Sequence, residues 1–129
     1  MPRMPNRIKL YLAVGIGGML GALGRYMVSV LFTSAYLFPF GTLLANLIGC
    51  FFLSYLLHNA FMKSRLSTIV FTGLSTGLIG AFTTFSTFAV ETIQLVYQSY
   101  LLAITYVLCS VGGGLLCCYI GYRVAHVKR

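Results

Sequence analysis

A chain of 129 residues, 59% hydrophobic and only 8% charged, with a mean hydropathy of +0.92, has room for one domain and cannot cover a water-facing surface, for which about 25% charged residues is usual. Its net charge of +8 does not form a nucleic-acid patch: Arg3, Arg7 and Lys9 precede the first apolar run, Lys63 and Arg65 separate the second from the third, and Arg123, Lys128 and Arg129 close the chain. Basic residues flank membrane spans in this way, so the composition predicts an all-α integral membrane protein.

The first apolar run covers about 8–32, long enough to cross a hydrocarbon core about 30 Å thick. It starts from basic residues, but no small-x-small cleavage site ends a short apolar core, so it reads as a retained span. Gly17 and Gly21 form a GxxxG pair, which lets a neighbouring backbone approach closely. Arg25 is the one basic residue deep inside an apolar segment; it must snorkel to the interface, pair, or face an aqueous vestibule.

A short linker with Pro39 leads to the second run, about 41–62, where Thr42 is placed to cap the helix start. Asn46 and Gly49 share nearly one face. An asparagine in lipid must find a partner, and two readings stand side by side: an interhelical hydrogen bond or a pore-lining amide. His58, near the far end, reads as an interfacial residue rather than a metal ligand.

The third run, about 68–98, is 31 residues long. As one straight helix it would measure about 46 Å, well beyond the apolar core of about 30 Å, and a break absorbs such an excess better than tilt does. Gly77, Gly80 and a hydroxyl cluster, Thr83, Thr84, Ser86 and Thr87, sit at its middle, and the chain's single acid, Glu91, follows one turn later. A break is predicted near 80–84. Backbone freed there needs protein, water or an ion as partner, and facing carbonyls at such a break suit a hard cation. Hydroxyls and aromatics also pack ordinary membrane helices, but a polar seam this dense marks a candidate permeation path.

The fourth run, about 100–124, follows after one or two residues, so runs three and four form a tight antiparallel hairpin. Tyr106 and Ser110 are four apart and share a face. Cys50, Cys109, Cys117 and Cys118 lie in apolar runs without metal-ligand spacing and read as reduced packing residues. With one carboxylate, no His/Cys cluster and no Ser-His-Asp set, an enzyme is not expected.

These segments together resemble the fluoride channel family (Fluc, also called CrcB) over nearly the whole chain. The likeness rests on Gly18-Met-Leu-Gly-Ala-Leu-Gly-Arg25-Tyr26, on Gly41-Thr-Leu-Leu-Ala-Asn46-Leu-Ile-Gly49, and above all on Gly80-Ala-Phe-Thr-Thr-Phe-Ser-Thr-Phe88 with Glu91; Ala81 departs from the pattern, where a second glycine is frequent. The resemblance implies four transmembrane helices with the third broken near the midplane, an antiparallel (inverted) dimer with two narrow pores, and passive export of fluoride. It further implies a structural, non-transported sodium ion at the dimer centre, held by the backbone carbonyls of Gly80 and Thr83. Phe85 and Phe88 would be the paired aromatics of the pore, Asn46 the polar residue above them, and Ser86 and Thr87 part of a hydroxyl track, with Tyr106 and Ser110 on the fourth helix.

The residue chemistry suits those roles. A small hard anion leaving water needs replacement donors, which the Asn46 amide and the hydroxyls of Ser86, Thr87 and Ser110 supply, and phenylalanine rings offer positive edges. The main rival is a proton-coupled small multidrug exporter, also a short four-helix antiparallel dimer; that class needs a membrane carboxylate, usually in the first helix, where this chain has Arg25. A non-conducting packing subunit would explain the glycines but not the hydroxyl seam. Four spans place eight of the nine basic residues on one side, which predicts both termini in the cytoplasm. That bias favours a paralogous partner chain of opposite charge bias over a self-paired homodimer, the other arrangement.

Overall fold

The computed structural model describes residues 6–32 and 37–127; Arg3, Lys128 and Arg129 of the basic flanks lie outside the described residues. Four helical stretches are long and apolar enough to cross a membrane: Asn6–Phe32, Phe40–His58, Thr68–Gln98 and Tyr100–Val127. Outside the break in the third, their backbone groups bond within the helices, as lipid, offering no partners, requires. Among the described residues there are no strands.

The first span is one helix, α1 (Asn6–Phe32). The second apolar run is divided. Helix α2 (Phe40–His58) ends four residues short of the predicted limit, because Asn59 adopts an extended conformation and caps a short helix, α3 (Ala60–Arg65). Its Oδ1 accepts a hydrogen bond from the Met62 backbone N–H at 3.0 Å, the local competition by which asparagine starts helices. At the other end of α2 the cap position belongs to Pro39, with no side-chain cap. Thr42, expected as a cap, instead donates its hydroxyl across the bundle to Glu91 Oε1 at 2.8 Å.

The third span is the irregular one. It begins with α4 (Thr68–Thr72), whose start Ser67 caps through its Oγ, and continues into a π-helical segment, Gly73–Ile79, and one turn, α5 (Gly80–Phe82). Thr83 then leaves the helix with φ −80° and ψ 157°, and α6 (Ser86–Gln98) carries the chain onward. The interruption thus falls at Thr83–Phe85. The π-helical segment before it was not expected, since hydrophobic periodicity carries no signature of an i→i+5 ladder; such segments recur at functional sites. Ser99 alone joins α6 to the last span, α7 (Tyr100–Val127).

Glycines decide how these pieces pack. Gly17 and Gly21 of α1 lie so close to the π-helical segment that a Cβ on either would collide with the carbonyl oxygen of Gly73 or of Leu78. The approach is mutual, for a Cβ on Gly73 or Gly77 would press on the backbone of Ala13 or Val14. The GxxxG pair of α1 therefore faces a second glycine pair, and backbone packs on backbone. Helices α2 and α7 form the other extensive pairing, bonded by Ser54 Oγ donating to the Cys118 carbonyl at 2.7 Å. A buried cluster of Leu43, Leu95, Ala103 and Tyr106 ties α2, α6 and α7 together, with Phe38, Leu47 and Phe88 against it.

Candidate permeation site

Asn46 organises the break. Its Nδ2 donates to the Thr84 carbonyl at 2.9 Å and its Oδ1 accepts from the Thr84 N–H at 2.8 Å. One side-chain amide thus satisfies both backbone groups of a residue that no longer has helical partners, which in a membrane interior they could not obtain from solvent. Arg25 does similar work on the other side: its Nε donates to the Ala81 carbonyl at 3.2 Å, one of the carbonyls left open where α5 stops. The Arg25 side chain is half-buried and engaged with that carbonyl.

Thr84 lies two residues before α6. Its Oγ1 accepts from the Thr87 N–H at 3.3 Å, donates to Thr87 Oγ1 at 3.0 Å and lies 3.4 Å from Ser86 Oγ. Three members of the predicted hydroxyl cluster, Thr84, Ser86 and Thr87, are therefore a connected set beside the start of α6. Thr83 turns back instead: its hydroxyl reaches the Ile79 and Gly80 carbonyls at 3.1 and 3.3 Å.

Three clefts meet along this seam. The largest, about 520 Å³, is lined by Asn46, Gly80, Thr83, Phe85, Phe88 and Ser110, among others, and by Thr84. The Phe85 and Phe88 rings stand 5.9 Å apart at 50°, and Phe85 is 80% exposed in the isolated chain. Ser110 Oγ is buried and has no hydrogen-bond partner among the described residues, so a donor is left over at the wall of this cleft, where a ligand could use it. A second cleft of about 240 Å³ is lined by Arg25, Thr42, Thr84, Thr87 and Glu91. A third, about 230 Å³, shares Thr42 and Glu91 with it and adds Gln94 and Gln98. Thr84 thus borders the first two clefts, and the Thr42–Glu91 pair borders the second and third.

Sequence reasoning left Glu91 without a role. In the fold both of its carboxyl oxygens accept from hydroxyls, Thr42 at 2.8 Å and Tyr106 at 2.7 Å. The signal was present: Thr84, Thr87 and Glu91 follow an i, i+3, i+7 pattern that puts them on one helix face, and a carboxyl group among apolar helices marks function by default. Tyr106 and Ser86 occupy less direct positions. Tyr106 lines none of the three clefts; it is wholly buried, its ring 5.3 Å from that of Phe88 and 5.5 Å from that of Phe38, and it braces Phe88 and Glu91 from behind. Ser86 is exposed and joins the seam only through Thr84.

Four spans, the third of them broken, with clefts lined by an aromatic pair, a hydroxyl set and one carboxyl group, define a small multi-pass membrane protein. The profile of the family described as CrcB-like protein, Camphor Resistance (CrcB), matches residues 12–122, and the chain belongs to that family. Similar relatives are the fluoride-specific ion channel FluC 1 of Bacillus cereus (strain ATCC 14579), 49% identical over 118 residues that cover 89% of this chain and 82% of the relative, and FluC 1 of Bacillus thuringiensis subsp. konkukian, 47% identical and covering 89% and 86%. The fluoride-specific ion channel FluC 2 of Listeria monocytogenes serotype 4b is 49% identical over 107 residues, 82% of each chain.

Proposed function

We propose that this protein is a fluoride-conducting channel that lets fluoride leave the cytoplasm down its gradient. The observation that carries the reading is the cleft lined by Asn46, Phe85, Phe88 and Ser110, whose hydroxyl has no partner among the described residues. A dehydrating anion meets donors and positive ring edges there, and the next polar groups along the seam are Thr87, Arg25 and Glu91. The relatives named as fluoride-specific channels support fluoride as the anion. Anion flux through the purified chain in liposomes is the test.

The pore requires a second subunit. Phe85 is 80% exposed and its cleft lies open on one side, so an antiparallel copy or a paralogous chain completes the wall. At the same place Gly80 and Thr83 line the cleft, and their backbone carbonyls are the proposed ligands. Oxygen donors of this kind suit a hard cation and not a soft one. Two carbonyls per chain make half of such a site, and a two-fold partner supplies the rest; the sodium ion expected there would neutralise facing helix ends and raise the local potential for an anion. Unfolding of the assembled protein should shift to higher temperature in sodium than in N-methylglucamine at equal ionic strength. Identical unfolding in both would remove sodium from the account.

A further inference from the structure

The basic end of the bundle holds a pair of histidines that the permeation path does not use. His58 is the last residue of α2, and His126 lies in the last turn of α7. In a four-span chain the second and fourth spans run parallel, so both C-termini reach the same end. The packing of α2 on α7 brings the two imidazoles to a ring-centre separation of 6.2 Å at 43°. Tyr122 stands beside both, 5.0 Å edge-on from His58 and 4.3 Å from His126.

The hydrogen bonding of the two rings is the same. His58 Nδ1 lies 2.8 Å from the Ser54 carbonyl oxygen and His126 Nδ1 lies 2.9 Å from that of Tyr122. A carbonyl oxygen only accepts, so each neutral ring carries its proton on Nδ1 and keeps the Nε2 lone pair. Metal-ligating histidines have this arrangement, in which a backbone carbonyl fixes the tautomer through the other nitrogen. Both side chains are exposed, and both sit at the negative end of a helix dipole, where a cation is favoured.

We propose that His58 and His126 form a two-imidazole site for a borderline transition-metal ion of the Zn²⁺, Ni²⁺ or Cu²⁺ class, clasping the ends of α2 and α7. Imidazole nitrogen selects these ions over sodium, magnesium or calcium. Two imidazoles sharing a tetrahedral ion at about 2.0–2.1 Å have ring centres about 5 Å apart, so closure asks for a rotamer adjustment of about 1 Å in two exposed side chains. The chain's single acid is no third ligand, because Thr42 holds Glu91 at the opposite end of α2. Water fills the remaining positions. Read alone, His58 has no ligand role; the fold supplies its partner from far along the chain.

The experiment is equilibrium dialysis of the purified, assembled protein against ZnCl₂ in one buffer for the wild type, H58Q and H126Q. Glutamine keeps a donor for the i−4 carbonyl, so both variants retain the assembled state. The expected result is one Zn²⁺ per chain in about the micromolar range, weakened by at least about tenfold in each single variant and not competed by Mg²⁺. Zn²⁺ should also raise the unfolding temperature of the wild type and of neither variant, a readout independent of conduction. Binding unchanged in either variant, or no wild-type binding below about 1 mM, overturns the proposal.

Discussion

Asn46 gives both ends of its amide to the backbone of Thr84 and at the same time lines the cleft that holds Phe85, Phe88 and Ser110. Of the two roles read from the sequence, the interhelical bond is present, and the pore-wall role belongs to the proposed reading. Because its polar atoms are engaged, Asn46 gives the cleft its shape as much as its polarity, and the donor there without a partner among the described residues is Ser110. Phe88 is fixed more firmly than Phe85, packed against Tyr106, so it makes the sharper test of the aromatic wall. Phe88→Ile removes the ring edge and keeps an apolar side chain. Fluoride efflux should fall by at least about tenfold, equivalent to about 1.4 kcal/mol at the barrier, while the protein still elutes as an assembled species. Undiminished efflux in Phe85→Ile/Phe88→Ile would remove the rings from the path.

At the scale of elements, the broken third span depends on α1 as its splint. Gly17 and Gly21 allow α1 to lie against the π-helical segment, and the obstacle to any larger residue is backbone, which cannot swing aside as a side chain can. Gly21→Ala should destabilise the fold by about 1–3 kcal/mol, the usual cost of overpacking, measured by denaturant or thermal unfolding in detergent. Gly15→Ala, where a Cβ meets nothing within 4 Å, should change little; equal effects at the two positions would contradict the packing. Much of this was legible beforehand. A 31-residue apolar run with glycines and hydroxyls at its centre predicts an interruption from length alone, and GxxxG predicts a close backbone contact without naming its partner. The π-helical segment was not legible, because it alters backbone register and leaves hydrophobicity unchanged. The destination of Thr42 was hidden for another reason. A threonine near a helix start reads as a cap, and only the packing of α2 against α6 offers its hydroxyl the carboxyl group of Glu91. Likewise Tyr106, read from its spacing with Ser110 as one face, turned out to stand behind that face, because Phe88 and Phe38 enclose its ring.

For the whole molecule, the cleft beside the exposed Phe85 is, on the proposed reading, one wall of a passage, and the charge distribution bears on what would complete it. Eight of nine basic residues fall on one side of a four-span chain, so both termini should face the cytoplasm, and an antiparallel partner should carry the opposite bias. A C-terminal tag in cells expressing this chain alone should be protected from outside reagents in nearly every copy; equal inside and outside populations would mean that the chain pairs with itself. Mixing in detergent before reconstitution lifts this constraint, since chains are then free to meet in either orientation. The central claim, conduction of fluoride, is tested most directly in liposomes loaded with equal fluoride and chloride and containing only this protein, with each anion followed by its own electrode. Fluoride should leave rapidly when a potassium ionophore opens the charge balance, and chloride should stay. Fluoride efflux no faster than from protein-free liposomes, or equal efflux of the two anions, would contradict the account.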